Sequence, residues 1–267
     1  MIKWNSKLCQ NINLVHMNLF YYGRAQVDKR WCGKVQNPVY TRLFYIVEGS
    51  GCITWGDGEK IHFEADNWYM IPAGCSFEYE CDNYLDHVYF NFKLCDADGL
   101  DLMRQSPSPY GIKLPDNKAE FFINSLDATS VVEGLRVRHE IYEVLLAIIE
   151  KHNIQLRDTD VSNCIKEATQ FIKHNLNVQL TTPEIAKNAY VSVSTITKHF
   201  KSELNMSVHD YIYDIVLTEA AYLLIKSNLS VLKISEKFGF CDQFYFSRRF
   251  REKFGVSPRE YRKTTTL

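Results

Sequence analysis

At 267 residues, 46% of them hydrophobic and 24% charged, the chain has room for two ordinary domains and the composition of a folded, soluble protein. Its longest apolar run, Val144 to Ile149, is far short of the ~20 residues of a bilayer span, and Met1-Ile2-Lys3-Trp4-Asn5-Ser6-Lys7 has no apolar core behind its lysines, so neither a membrane anchor nor a signal peptide is expected. The net charge of −1 hides an asymmetry: residues 1–162 hold 16 Lys+Arg against 22 Asp+Glu, residues 163–267 hold 15 against 10, as suits a nucleic-acid-binding module behind one that is not.

From about residue 12 to 95 the chain reads as short strands. Leu43-Phe44-Tyr45-Ile46-Val47, Cys52-Ile53-Thr54-Trp55, Trp68-Tyr69-Met70-Ile71 and His87-Val88-Tyr89-Phe90-Asn91-Phe92 are β-branched and aromatic. Glu48-Gly49-Ser50-Gly51, Gly56-Asp57-Gly58 and Pro72-Ala73-Gly74 punctuate them as turns, which predicts a sandwich or small barrel. Residues 96–117, with Pro107, Pro109, Gly111 and Pro115, read as a loop-rich crossover, and helical periodicity takes over from Lys118. Val131 to His152 is predicted as one long helix with two apolar stripes. Val131, Leu135, Tyr142, Leu145 and Ile149 form one, and Val137, Ile141, Val144 and Ile148 the other. Such a helix can pack on its own domain with one stripe and on a second copy of the chain with the other; the alternative is a helix sandwiched between two domains.

The eight cysteines, at 9, 32, 52, 75, 81, 95, 164 and 241, form no CxxC pair and no spacing with His that suits zinc. They are expected to be free, buried thiols in a reducing compartment, with a redox sensor as the alternative.

The last hundred residues contain an internal repeat. Leu180, Ile185, Ala186, Val191, Phe200, Leu204, Ser207 and Tyr211 correspond to Leu229, Ile234, Ser235, Phe240, Phe250, Phe254, Ser257 and Tyr261. The offset is 49 up to a turn and 50 after it, a one-residue insertion. Each copy reads as helix, tight turn, helix. Thr181-Thr182-Pro183-Glu184 is a capping box with Pro in the first turn, and Ser192 caps the helix after the turn. In the second copy Ser230 opens the first helix and Gly239 makes the turn. The helices after the turns offer Ser194, Thr195, Thr197, Lys198 and Lys201 in one copy, and Gln243, Phe244, Ser247, Arg248 and Arg251 in the other. Hydroxyl, amide and guanidinium groups there suit base edges, and the cations suit phosphates, although a lone polar helix face would mean little without the repeat. A helix from Val208 to Ser227 joins the copies. It spans ~30 Å, near the ~34 Å between successive major-groove faces of a duplex.

These residues resemble the AraC/XylS family of bacterial transcription regulators. The match runs from about Thr181 to Arg262 and is densest in Ile234-Ser235-Glu236-Lys237-Phe238-Gly239-Phe240 and onward to Phe250, closing on Phe254-Gly255-Val256-Ser257-Pro258-Arg259-Glu260-Tyr261-Arg262. The first copy departs from the pattern: Tyr190 and Asn205 stand where the family usually has Gly, and Val216 where it has Arg. A positive φ at Tyr190 would strain that turn, and more of the specificity is expected from the second copy.

The front also resembles the family's cupin-like ligand-binding barrel, through Tyr40-Thr41-Arg42-Leu43-Phe44-Tyr45-Ile46-Val47-Glu48-Gly49-Ser50-Gly51 and Asp66-Asn67-Trp68-Tyr69-Met70-Ile71-Pro72-Ala73-Gly74. Phe77 stands where an enzymatic cupin would place a metal-binding His, and no HxH occurs, so no metal, cofactor or enzymatic activity is expected. All four tryptophans, 4, 31, 55 and 68, lie in the front. Trp31 with Arg30 and Arg42 is the candidate ligand-lining set; the alternative is that the tryptophans fill the barrel core or cover its rim.

The resemblance implies an α+β two-domain protein. A cupin-like β-barrel over 1–117 and a helical dimerisation or linker region over 118–160 would precede an all-α double helix-turn-helix domain over 161–267. It implies a cytoplasmic, homodimeric regulator that binds double-stranded DNA under control of a small molecule, a carbohydrate foremost, and meets RNA polymerase if it activates. A front domain that senses a protein partner or only dimerises, and a cupin enzyme, are the alternatives.

Overall fold

The computed structural model describes residues 12, 15–36, 38, 40–96, 101–104, 108–115, 118–156 and 161–265. The chain divides into two compact units, Met1–Thr159 and Asp160–Leu267. The first holds β1 (His16–Asp28), β2 (Cys32–Val35), β3 (Thr41–Trp55), β4 (Glu59–His62), β5 (Asn67–Ile71), β6 (Phe77–Cys95) and β7 (Tyr110–Lys113), then α1 (Ala119–Asn124) and α2 (Val131–Lys151). The second holds α3 (Asn163–His174), α4 (Thr182–Asn188), α5 (Val193–Leu204), α6 (Val208–Lys226), α7 (Val231–Lys237), α8 (Gln243–Phe254) and α9 (Pro258–Thr265).

The seven strands form one antiparallel sheet in the order β1-β6-β3-β5-β7, with β2 added on β6 and β4 on β3. Two differences from the sequence reading have clear causes. Glu48-Gly49-Ser50-Gly51 does not reverse the chain; it bends β3, whose register against β6 shifts at Ile46/Glu48 and again at Gly49/Gly51. Gly49 has φ +91° and lies so close to β6 that a Cβ would sit 2.1 Å from the Tyr84 carbonyl oxygen, so glycine makes a bulge here rather than a turn. Past the bend β3 exchanges β5 for β4 as its neighbour, and β6 likewise passes from β2 to β1, which curls the sheet. The Pro-rich crossover, in turn, contains β7, which pairs with β5 from Asn67↔Lys113 to Met70↔Tyr110.

Both faces of the sheet are covered, so its central strands are buried at successive positions rather than alternately. Leu43, Tyr45, Trp68, Met70, Phe90 and Phe92 face a core closed by Phe122 of α1 and by Val137, Ile141, Val144, Leu145 and Ile148 of α2. Phe44, Ile46, Ile53, Tyr69, Ile71, Phe77 and Leu85 face the inside of the curl. The helical segment thus packs into the core of the first unit. Of its two predicted stripes, the one through Val137 and Ile141 is buried, whereas Val131 and Leu135 of the other are 80% and 58% exposed. Among the cysteines, 52, 75, 81 and 95 are buried as expected, but Cys32 and Cys241 are exposed and Cys164 is intermediate; Cys9 lies outside the described residues. Among the described residues no helix is long and apolar enough to cross a membrane.

Candidate nucleic-acid interface

The second unit is the predicted repeat drawn in caps and turns. Thr181 closes a capping box with Glu184 at the start of α4, and Ser230 accepts from the Lys233 N–H at the start of α7, 49 positions on. Both first helices end in the same hydrogen-bonded turn: Val191 N–H donates to Ala186 O at 3.0 Å, and Phe240 N–H to Ser235 O at 3.1 Å. The second helices are capped by Ser192 and Asp242, now 50 apart, so Cys241 is the inserted residue. They end on left-handed caps at Asn205 and Gly255, and Ser207 and Ser257 open the next helices, α6 and α9.

Each second helix is anchored by fully buried side chains, Ile196 and Phe200 in α5 and Phe246 and Phe250 in α8. The helix period then fixes what points outward. Ser194, Lys198 and Lys201 share one exposed face of α5, and Phe244, Arg248 and Arg251, each 50 residues later, share the matching face of α8. Thr197 is exposed, while Thr195, Gln243 and Ser247 are half-buried at its edges. Ser194 and Thr195 hydroxyls lie 2.8 Å from the Ser192 cap, and Thr197 donates to Val193 O at 2.8 Å. Lys198, Lys201 and Arg251 have no ion-pair partner among the described residues. Arg248 lies over the Tyr245 ring at 5.2 Å with only a loose 4.0 Å approach to Glu252. Arg249, by contrast, is held by Glu252 at 2.7 Å and lies over the Tyr213 ring, which fastens α8 rather than extending its outer face. A buried ion pair, Lys253 to Asp214 at 2.9 Å, ties α8 to α6.

The three departures in the first copy have structural counterparts. Tyr190 adopts φ +56° where its partner Gly239 has +76°, and its side chain is 90% exposed. Asn205 takes φ +50° opposite Gly255 at +79°, a conformation that Asn tolerates better than most residues. Val216 is fully buried within α6, where it packs as an apolar residue.

A family profile described as a helix-turn-helix domain matches residues 185–264. The Msm operon regulatory protein of Streptococcus mutans is 26% identical over 95% of each chain. The C-terminal unit thus carries an AraC-type helix-turn-helix domain, and the relatives that match the chain along most of its length are operon regulators. The lactose operon transcription activator of Staphylococcus xylosus is 22% identical over 82% of each chain. The fold of ToxT from Vibrio cholerae, solved with an unsaturated fatty acid bound, is similar with a TM-score of 0.60 over 93% of this chain and 96% of that one, at 13% identity. The matched domain and these regulator relatives make the chain a DNA-binding transcription regulator rather than an enzyme, and its fold sets an antiparallel sheet unit before the helix-turn-helix unit in the sequence.

That sheet unit holds a half-open cavity of about 230 Å³ inside its curl, lined among others by Trp31, Arg42, Phe44, Phe77, Tyr79, His87, Tyr89 and Asn91. Of the predicted ligand-lining residues, Trp31 and Arg42 are there. Arg30 is not: it sits in the turn before Trp31, its side chain exposed and clasped to Asp28 at 2.7–3.1 Å. Successive residues of a turn point apart, so adjacency to Trp31 carried no information about the cavity. Trp68 fills the core between sheet and helices, and Trp4 lies outside the described residues. The sequence reading missed His87, Tyr89 and Asn91, although their spacing of two along an aromatic strand puts them on one face. Burial pushes the His87 imidazole down to about 4, so it is neutral near pH 7. Among the described residues no group of three His, Cys, Asp or Glu is placed to hold a metal.

Proposed function

We propose that this cytoplasmic regulator reads promoter DNA with α5 and α8, and that a small molecule in the sheet unit, carbohydrate being the leading class, sets its occupancy. Ser194, Thr195, Thr197, Lys198 and Lys201 are assigned to one half-site, and Gln243, Phe244, Ser247, Arg248 and Arg251 to the other. The observation that carries this is the matched outward face of the two helices, cationic at the same two positions and standing on caps at equivalent positions. The 19 residues of α6 between the copies span ~28 Å, compatible with adjacent major-groove segments. The lactose operon in the name of the Staphylococcus xylosus relative supports the effector class.

The exposed Val131, Val132 and Leu135 at the start of α2 support a homodimer through this helix. Leu135→Lys in the full chain should shift its sedimentation from dimer to monomer; unchanged sedimentation would remove α2 from the interface. Contact with RNA polymerase belongs to the reading only if the chain activates.

Genome-wide capture of bound DNA, with and without a panel of sugars, tests the whole. Discrete promoter sites whose occupancy changes with one sugar are expected. Binding without discrete sites would defeat the reading of DNA, and sites indifferent to every small molecule would defeat the effector.

A further inference from the structure

The cavity inside the curled sheet contains a charge that the protein leaves unanswered. Arg42, on β3, contributes a guanidinium whose Nη1 is buried without any hydrogen-bond partner. Its surroundings are the rings of Tyr40 and Phe77, 4.6 and 5.3 Å away, and one long 3.4 Å contact from Nη2 to the Tyr40 hydroxyl. No carboxylate pairs with it among the described residues. The same sheet treats its other arginine differently, closing Arg24 on Asp86 through two bonds of 2.9 and 2.5 Å. Arginine stays ionised in proteins, and a charge withdrawn from water without a partner is costly, so the orphaned guanidinium needs a compensating function.

Two more unpartnered atoms face the same space. Asn91 stands directly opposite Arg42 across the β3–β6 ladder, and its Oδ1 is buried and without a partner, as is Nδ1 of His87. A cavity with a cationic fork whose Nη1 is bare, a bare acceptor and aromatic walls is complementary to one kind of occupant. Neutral hydroxyls alone would leave the charge of Arg42 uncompensated, whereas an oxyanion answers both its charge and its planar pair of donors. Asn91 Oδ1 would repel that oxyanion and accepts instead from a hydroxyl beside it. The volume of about 230 Å³ lies below the ~300–1,000 Å³ of sites for drug-sized ligands, which limits the occupant to about one ring.

We propose that the effector of this regulator is a small hydroxylated anion, with a carboxylate or phosphate seated on Arg42 and a hydroxyl on Asn91. This rests on the reading of the sheet unit as an effector domain and narrows it from sugars in general to acidic or phosphorylated ones.

The test is calorimetric titration of the full chain, at constant ionic strength, with glucose, glucuronate and glucose 6-phosphate. At least one of the anions should bind tenfold or more tightly than glucose, and the two arms separate carboxylate from phosphate. Arg42→Met should erase that preference. The unliganded variant should melt at the same or a higher temperature, since it loses an uncompensated charge. Glucose binding as tightly as both anions, no binding by either anion, or a preference that survives in Arg42→Met each overturns the proposal. So does an unliganded variant that melts well below the parent, which would make Arg42 a structural residue. Failure of the broader effector reading looks different: promoter occupancy then ignores every small molecule, whatever the cavity binds.

Discussion

The two helix-turn-helix copies share one plan and execute it with different residues. In the second, Gly239 takes the positive φ of the turn, and the chain before the first copy packs on it: Val178 N–H donates to Phe238 O, and Gln179 Nε2 to Gly239 O at 3.0 Å. In the first, Tyr190 is forced into the same conformation and stands almost wholly in solvent. The cations differ too, two lysines in the first copy against two arginines in the second. A bidentate arginine reads guanine edges, whereas a lysine is mainly a point charge for phosphate. The two copies share the positions of their caps, which place the helix, and differ in the turn and in the outward face.

The comparison is broken most severely at the shared core. Phe200 and Phe250 hold equivalent, fully buried places, so each change to Ala should cost about 3–5 kcal/mol in the denaturation of the second unit. A much smaller loss from Phe200→Ala would mean that the first copy is loosely packed and not an equal partner. Arg248→Ala should weaken the best operator by about 1–3 kcal/mol and relax the preference at one base pair. Lys198→Ala, at the matching position, should weaken all sequences alike and lower the salt slope by about one. Identical behaviour of the two variants in binding assays across a set of sequences and salt concentrations would erase the distinction between reader and anchor.

The turns offer a finer test. Gly239→Ala should destabilise by about 1–3 kcal/mol, because the new Cβ meets positive φ and would lie 2.1 Å from the Asn177 side chain. Tyr190→Gly should go the other way. Relief of about 1–2 kcal/mol of left-handed strain outweighs the ~0.5–1 kcal/mol of added chain entropy in the unfolded state. A lower melting temperature for Tyr190→Gly would show that the exposed ring has contacts of its own.

Legibility in the sequence tracks the range of the physics involved. Caps, helix faces and the offset of the repeat are local, and Thr181, Ser192, Ser230 and Gly239 sit where spacing alone puts them. The bend of β3 was misread because a glycine licenses a bulge as readily as a turn, and only the partner strand decides. β7 was missed because its four residues are held by pairing with β5, not by their own pattern. The cavity was half legible. Trp31 and Arg42 are conspicuous residue types, but the facing of His87, Tyr89 and Asn91 needed the strand period. The isolation of Arg42 depends on neighbours drawn from several strands.

The smallest effect lies in the caps of the two outward helices. Ser192 accepts from the Thr195 N–H with a hydroxyl, which does not titrate, whereas Asp242 accepts from the Tyr245 N–H at 2.7 Å with a carboxylate. That backbone bond, together with the Cys241 thiol, holds the Asp242 carboxyl below its ordinary value of 3.8. A carboxylate with a depressed folded pKa stabilises above the unfolded value, and the contribution disappears as pH falls through the folded one. Asp242→Ser would copy the first cap onto the second. The parent should therefore melt above this variant at pH 5 to 7, and the gap should close as the pH falls below the ordinary carboxyl value of 3.8. Ser192→Asp, the reciprocal change, should create a gap with the same pH dependence in the first copy. A melting difference that stays constant with pH would place the benefit of Asp242 in its geometry rather than its charge, and the two caps would then be equivalent after all.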